Sequence, residues 1–343
     1  MSSLTAPQRP ATLAPKAPPT PGPSRKRGTG RLAALLVSPT LLVLALVAGY
    51  PVLSAFRESL FSERSGLDSS GFVTEGEQFT GLTHYTEIFG GEAGKQFWNA
   101  FSNTTFFTVT TVLIETVLGV AMALVMNHAI RGRALVRAGV LVPWAIPTVV
   151  SALLWQWIFQ ADGAANALLG QEILWTTDGI QAAVAVIVAD TWKTAPFVGL
   201  LVLAGLQLIP REVYEAARVD GANRLQEFLR ITLPMIRPVL LVAVLFRLLD
   251  ALRMFDLPYV LVGAHKESVQ TLSMLAFDEA ANTRYGPASA YAVILFLYVA
   301  VVAFVFVRLL GADVFSEQRA TKRDRRDRRD RRARRATTKG ATA

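Results

Sequence analysis

The sequence has no cysteine and only three histidines among its 343 residues. Disulfide bonds and thiolate metal sites within this chain are therefore excluded, and the histidines are too scattered to indicate a zinc site or a histidine-based triad. A phosphate-binding loop is also missing, because the faint match at Gly94-Lys95 has Phe89 and Gln96 where the Walker pattern requires Gly and Ser or Thr. We expect no ATP hydrolysis through that motif, and no cofactor or metal bound by this chain.

Charge is scarce within six long apolar segments, and 52% of all residues are hydrophobic. Each segment offers about 20 mostly apolar residues, the length of an α-helix that crosses a hydrocarbon layer of about 30 Å. We therefore predict an all-α integral membrane protein with six transmembrane helices, with proline kinks at Pro143, Pro147 and Pro196. The six segments lie near Leu32–Phe56, Thr104–Met126, Val136–Phe159, Gln181–Gly205, Met235–Leu257 and Ala288–Leu310.

The formal net charge of +9 collects between the apolar segments. Lys and Arg are frequent in both tails and in the connections after the second and fourth segments, and rare in the other connections. Because positively charged connections stay in the cytoplasm, we predict a chain of the inner or plasma membrane with both termini cytoplasmic.

Two tails flank the predicted membrane domain, which covers residues 32–310. Residues 1–31 are rich in Pro, Ala, Thr and Arg, and we predict a disordered tail. Residues 311–343 form a predicted Arg/Asp-rich cytoplasmic tail, in which an Arg-Arg-Asp unit repeats between Arg323 and Arg335. RNA or anionic-lipid binding is one interpretation of this repeat, and a solvated cytoplasmic end is the favoured one.

The connection between the fourth and fifth segments, about residues 206–234, has the pattern of a short helix, a turn and a second helix. Pro210 suits a first helical turn, Glu215 favours a positive helix end, and Gly221 permits a sharp break. The two alanines after Glu215 leave a thin face that another protein could approach closely. An amphipathic surface hairpin without such a partner is the alternative interpretation.

The spacing of this connection resembles the EAA loop of ABC importer permeases. The resemblance extends through most of residues 35–310, and Ile209-Pro210 is similar to the carbohydrate-uptake branch of that family. The stretches Asp190–Phe197 and Leu233–Pro238 are most similar to the first permease subunit of actinobacterial trehalose and maltose importers. The resemblance assigns contact with an ATPase to Glu215, Ala216, Ala217, Asp220, Gly221, Ile231, Leu233 and Pro234.

This resemblance implies a type I ABC importer permease fold and a transport subunit rather than an enzyme. It further implies a second permease that shares the pore, two ATPase subunits that use ATP and Mg, and an extracytoplasmic solute-binding protein. Glu215 would pair with a basic residue of the ATPase. The expected solute is a disaccharide such as trehalose or maltose, and no nucleic acid is expected as a partner.

Four charges alternate in sign every three residues in the fifth segment: Arg247, Asp250, Arg253 and Asp256. At about 3 kcal/mol each near the bilayer centre, four isolated charges would cost about 12 kcal/mol, so they must pair or face water. Both a pore-lining role and a self-neutralising ladder that locks helix packing fit this spacing. Glu115 and Asp190 also lie in or near the membrane, and the sequence assigns them no role.

The resemblance to maltose-type permeases implies solute contacts at this depth of the fifth segment and after Trp192 in the fourth. A sugar site needs partners for hydroxyl groups and a flat apolar face, and the residue types at these positions supply both. The positions are Lys193, Thr194, Phe197, Phe246, Leu249, Asp250 and Arg253.

Three other functions remain open. A secondary transporter or channel would use buried Asp and Arg as proton or ion relays, but it has no ATPase for the EAA spacing to bind. An importer for a different small polar solute, such as a glycerol phosphate, is the second alternative. A membrane-bound enzyme would use Asp250 or Asp256 as acid and base, but the chain shows no nucleophile or metal constellation to support it.

Overall fold

The computed structural model describes residues 26–67, 73–128 and 132–308, which fall into two units divided after Leu53. The first unit holds helix α1 (Lys26–Leu44), a π-helical segment (Ala45–Gly49) and the start of α2 (Tyr50–Glu58). Apolar side chains are exposed along this helix, which suits a lipid-facing span. This helix begins at Lys26, six residues before the predicted boundary at residue 32. Residues 1–25 and the predicted tail at residues 311–343 lie outside the described part.

The second unit is mostly helical and includes one two-stranded antiparallel sheet, in which Phe61 lies opposite Phe79. This hairpin departs from the all-α prediction. Its strands are polar and poor in β-branched residues, so their composition gave no signal for a strand. The elements are β1 (Phe61–Leu67), β2 (Val73–Phe79), α3 (Thr83–Phe89), α4 (Gly91–Asn127), α5 (Arg133–Ala145), α6 (Thr148–Ile158), α7 (Ala164–Leu169), α8 (Ile180–Leu206), α9 (Arg211–Val219), α10 (Arg224–Glu227), a π-helical segment (Phe228–Thr232), α11 (Leu233–Ala251), α12 (Asp256–Leu261), α13 (Leu272–Ala281) and α14 (Tyr285–Arg308).

Within the described residues, five helices are long and apolar enough to cross a membrane, and α5 with α6 makes a sixth span if the bent pair counts as one. The second span starts at Gly91 rather than near Thr104, and the fifth ends at Ala251 rather than near Leu257. The α4 helix is longer than predicted because its first turns carry polar residues outside the apolar run. The number of six spans and the cytoplasmic termini stay predictions.

The predicted third span consists of two helices that meet where a proline kink was predicted. Helices α5 and α6 meet at 95°, and Ile146 between them has an extended backbone with φ −74° and ψ 134°. This conformation follows from Pro147, which disfavours helical geometry in the residue before it. By contrast, Pro143 lies within α5 and Pro196 within α8, and neither ends its helix.

Helix α8 is the most buried of the five long apolar helices, with 67% of its apolar stretch buried. It packs most extensively against α4, where two glycines allow the helices to approach closely. A Cβ atom added to Gly119 would lie 2.7 Å from Cβ of Val198 and 3.0 Å from the backbone nitrogen of Gly199. Small residues at such a crossing are typical of membrane helix pairs. The crossing places the polar side chains of α4 and α8 within reach of each other.

Candidate functional site

A cavity of about 280 Å³ lies among α5, α6, α8 and α11 and the connection that follows α11. It lies beside the bend between α5 and α6, since Trp144 and Thr148, on either side of that bend, both line it. Its wall is mixed in character: Trp144, Met254 and Phe255 supply apolar surface, and the polar groups come mainly from α8 and α11. The polar and charged lining residues are Thr148, Asp190, Lys193, Thr194, Arg247, Asp250, Arg253 and Asp256.

A buried ion cluster closes one side of this cavity. The guanidinium of Arg247 on α11 forms ion pairs with Glu115 on α4, Asp190 on α8 and Asp250 one turn along α11. Its Nη2 lies 3.1 Å from Oε1 of Glu115, and its Nη1 lies 2.8 Å from Oδ2 of Asp250. Burying one arginine among carboxylates satisfies the requirement that membrane-embedded charges pair. The cluster therefore joins three spans through one side chain.

Thr194 connects this cluster to the backbone of α8. Its hydroxyl lies 2.6 Å from Oε1 of Glu115 and 2.6 Å from the carbonyl oxygen of Asp190, and it donates to both in a shared hydrogen bond. Thr194 and Glu115 are both buried. The Glu115 carboxylate thus accepts hydrogen bonds from two helices, which fixes its orientation.

Lys193 lies beside the cluster and also holds the broken span. Its Nζ donates to the carbonyl oxygen of Ile146 at 3.0 Å. The break at Pro147 removes the helical partner that this carbonyl would otherwise have, and an unpaired carbonyl in a membrane is costly. Lys193 therefore stabilises the bend that opens the cavity.

The structure brings four of the seven predicted solute-contact residues to the cavity wall: Lys193, Thr194, Asp250 and Arg253. The other three are not among its lining residues. Phe197 stacks on Trp144, which does line the cavity, with ring centroids 5.7 Å apart. Phe246 and Leu249 lie on α11, and Phe246 is 57% exposed. Contact of any of the seven with solute stays a prediction.

The predicted charge ladder is present only in part. Arg247 and Asp250 do pair, but Arg253 donates its Nε to the carbonyl of Leu249 at 3.1 Å. Because α11 ends at Ala251 and Asp256 begins α12, Asp256 does not lie on the next turn of the same helix. The ladder prediction was wrong beyond Asp250, since it assumed one uninterrupted helix.

Glu115 and Asp190 are the site residues that sequence reasoning left without a role. They lie 132 and 57 positions before Arg247, so no local spacing indicates the contact. A signal did exist: two carboxylates and one arginine within apolar spans must find partners, and they could find one another. Which of several partners each one takes depends on helix packing.

The predicted helix, turn and helix between the fourth and fifth spans is confirmed. Helix α9 ends at Val219, and Gly221 has φ +82°, a conformation that glycine adopts without strain. Asn223 then caps α10 through a reciprocal pair with Gln226, each hydrogen bond being 2.9 Å. The Asn-x-x-Gln spacing is a signal for this cap that the sequence analysis did not use.

Two further contacts link the parts of this connection. Arg218 on α9 forms an ion pair with Glu227 on α10 at 2.9 Å, and the Tyr214 hydroxyl lies 3.1 Å from Oγ1 of Thr232. The connection also exposes apolar surface, with Val219 88% exposed. Of the predicted ATPase-contact positions, Glu215, Ala216, Asp220, Gly221 and Pro234 are exposed, and Ala217, Ile231 and Leu233 are half-buried.

Comparisons with known proteins agree with this architecture. The family of binding-protein-dependent transport system inner membrane components matches residues 115–316. The trehalose/maltose transport system permease protein MalF of Thermococcus litoralis is 37% identical over 81% of this chain and 93% of its own length. The trehalose transport system permease protein SugA of Mycobacterium tuberculosis (strain H37Rv) is 38% identical over 82% of this chain and 89% of its own length.

Among solved structures, the chain is similar to a subunit of a bacterial ABC transporter involved in the import of the acidic polysaccharide alginate. The TM-score is 0.69 at 22% identity, and the match covers 83% of this chain and 96% of that chain. This likeness supports the fold.

Proposed function

The chain belongs to the family of binding-protein-dependent transport system inner membrane components, and we propose that it is a sugar-translocating permease subunit of an ABC importer. The observation that carries this proposal is the polar cavity within the bundle, walled by α8 and α11. The solutes in the names of the relatives, trehalose and maltose, support a disaccharide as the solute.

The chemistry of the cavity wall fits a polyhydroxylated solute. Asp250 offers acceptors, while Lys193 and Arg253 offer donors, and hydroxyl groups of a sugar are both. Trp144 and Phe255 add flat apolar surface of the kind that packs on a pyranose ring. At about 280 Å³ the cavity is just below the usual volume of ligand pockets, about 300–1,000 Å³, so we propose that a second permease subunit completes it.

The assembly that we propose has a second permease, two ATPase subunits that use ATP and Mg, and an extracytoplasmic solute-binding protein. Both termini and the α9–α10 connection lie on the cytoplasmic side, as the distribution of Lys and Arg indicates. The exposed Glu215 and Ala216 then face the ATPase. Because Arg218 pairs with Glu227, closure of the ATPases moves α9 and α10 together and so displaces the fifth span.

Paired glycine variants test the coupling role. Gly221 has φ +82° and Gly170 has φ +64°, and a Cβ atom at either glycine meets nothing within 4 Å. Alanine at each site therefore pays a similar backbone cost, of about 1–2 kcal/mol. We expect Gly221→Ala to abolish or strongly reduce uptake in proteoliposomes, and Gly170→Ala to retain it.

A second pair of variants separates a specific role of Glu215 from the general effect of removing one negative charge from α9. Glu215→Ala should abolish uptake, while Glu212→Ala on the same exposed helix should retain it, with solute capture by the binding protein intact in both. Normal uptake in both Glu215→Ala and Gly221→Ala would remove the coupling role.

The solute itself is tested by competition. Unlabelled trehalose or maltose should block uptake of labelled trehalose, and glycerol 3-phosphate should not.

A further inference from the structure

One arginine serves three carboxylates that differ sharply in exposure. The side chains of Arg247, Glu115 and Asp190 are 3%, 0% and 9% exposed, whereas that of Asp250 is 68% exposed. The three carboxylates come from three helices, α4, α8 and α11. Two partners of Arg247 are therefore enclosed by protein, and the third lies on the cavity wall.

The donors of Arg247 are divided in the same way. Nε and Nη2 bind Glu115, and Nη2 also binds Asp190. Nη1 is the nitrogen that binds Asp250, at 2.8 Å. Because a guanidinium is planar, contacts that fix its Nε and Nη2 edge also fix the direction of Nη1. The two buried carboxylates thus determine where the arginine holds the exposed one.

A role in packing alone does not account for Asp250. It lies on the cavity wall with 68% of its side chain exposed, so the contact with Arg247 also fixes a group that a solute in the cavity can reach. Asp250 also lies one residue before the end of α11, next to the connection that lines the cavity. The contact with Arg247 therefore orients this carboxylate in the last turn of the helix.

We propose that Arg247 is a positioning residue: held by Glu115 and Asp190, it fixes the Asp250 carboxylate on the cavity wall and so sets which sugar the cavity passes. This inference rests on the proposed function. It makes selectivity at the cavity depend on two carboxylates that are buried behind the arginine. A change in how α4 or α8 packs would therefore alter solute choice without touching the solute.

A double-mutant cycle tests this dependence in the complete complex, reconstituted in proteoliposomes with its binding protein. The readout is the ratio of trehalose to maltose uptake, each supplied on saturating loaded binding protein, since a ratio cancels differences in assembly. We expect Asp250→Asn to change this ratio by about 5-fold and Glu115→Gln by about 3-fold. If Glu115 acts through the Asp250 carboxylate, the ratio of the double variant should equal that of Asp250→Asn alone. Independent effects would multiply to about 15-fold.

Two further variants keep the test decisive. Thr116 is next to Glu115, but its hydroxyl donates to the Val112 carbonyl within α4. Thr116→Val should therefore leave the uptake ratio unchanged. Asp190→Asn provides a second cycle with Asp250→Asn, with the same expected arithmetic, if the Glu115 variant does not assemble.

The outcomes separate this inference from the proposed function. Multiplied effects in the double variant, or equal loss of both uptake rates in Glu115→Gln, would overturn the positioning role while the unmodified complex still imports sugar. Absence of sugar uptake by the unmodified complex would overturn the proposed function and this inference with it.

Discussion

The close approach of α4 and α8 makes Gly119→Ala a sensitive test of the fold. The added Cβ atom would lie 2.7 Å from both Cβ and Cγ1 of Val198 and 3.0 Å from the backbone nitrogen of Gly199. These neighbours include backbone and the branch point of a stiff side chain, so they cannot rotate away. The helices must move apart for the variant to fold.

The size of the effect follows from the overlap. Carbon atoms pack best at about 3.5–4.0 Å, so the contact is short by about 1 Å. Forcing an extra methyl group into a packed core costs about 1–3 kcal/mol. At about 2–4 °C per kcal/mol, we expect the melting temperature of the purified complex to fall by about 2–12 °C.

The variant should also reduce transport. Glu115 lies one turn before Gly119 on α4, and Thr194 lies one turn before Val198 on α8, so separation of the helices lengthens the 2.6 Å contact between Glu115 and Thr194. Gly139→Ala in α5 is the matched control, because a Cβ atom there meets nothing within 4 Å and alanine favours a helix. Equal melting temperatures for the two variants would refute the close approach.

Three further predictions concern stability, measured by thermal unfolding of the purified complex. Asn166→Ala removes hydrogen bonds of 2.9 and 3.0 Å from a buried side chain that holds the connection after α6, at a cost of about 2–3 kcal/mol. Lys193→Met leaves the Ile146 carbonyl without its 3.0 Å donor, at about 1–3 kcal/mol; unchanged stability would remove Lys193 from the bend. Hydrogen bonds from the side chain and backbone of Ser268 hold the pKa of Asp178 below its ordinary value of 3.8. This stabilisation is complete at neutral pH and is lost as the pH falls below about 4, so Asp178→Asn should flatten the acid side of the stability profile, and an unaltered profile would contradict the assignment.

The membrane spans were largely predictable because length and apolarity carry the signal. Ile180–Leu206 is within one residue of the predicted fourth segment at each end. The second span was predicted too short, since the start of α4 at Gly91 is marked by polar residues that hydropathy does not distinguish from a loop. The helix, turn and helix near Gly221 was also predictable, because local chemistry decides that geometry.

Contacts between distant helices were not predictable from one sequence. Proline indicated a kink at Pro147, but the hydrogen bond from Lys193 on α8 to the Ile146 carbonyl at the 95° bend has no local signal. The partners of Arg247 are set by the glycine crossing of α4 and α8, and no local spacing indicates it. Phe246 is 57% exposed on α11 and is not a lining residue of the cavity, and its contact with solute stays a prediction.

The measurement that tests the central claim most directly is ATP hydrolysis by the membrane-extracted complex in proteoliposomes, with and without loaded binding protein. Our account predicts that an ATPase and a second permease copurify with this chain, and that trehalose- or maltose-loaded binding protein raises the hydrolysis rate several-fold. Glu212→Ala should preserve this stimulation and Glu215→Ala should lose it. Sugar uptake that proceeds without any copurifying ATPase, or hydrolysis that no sugar-loaded binding protein stimulates, would contradict the account.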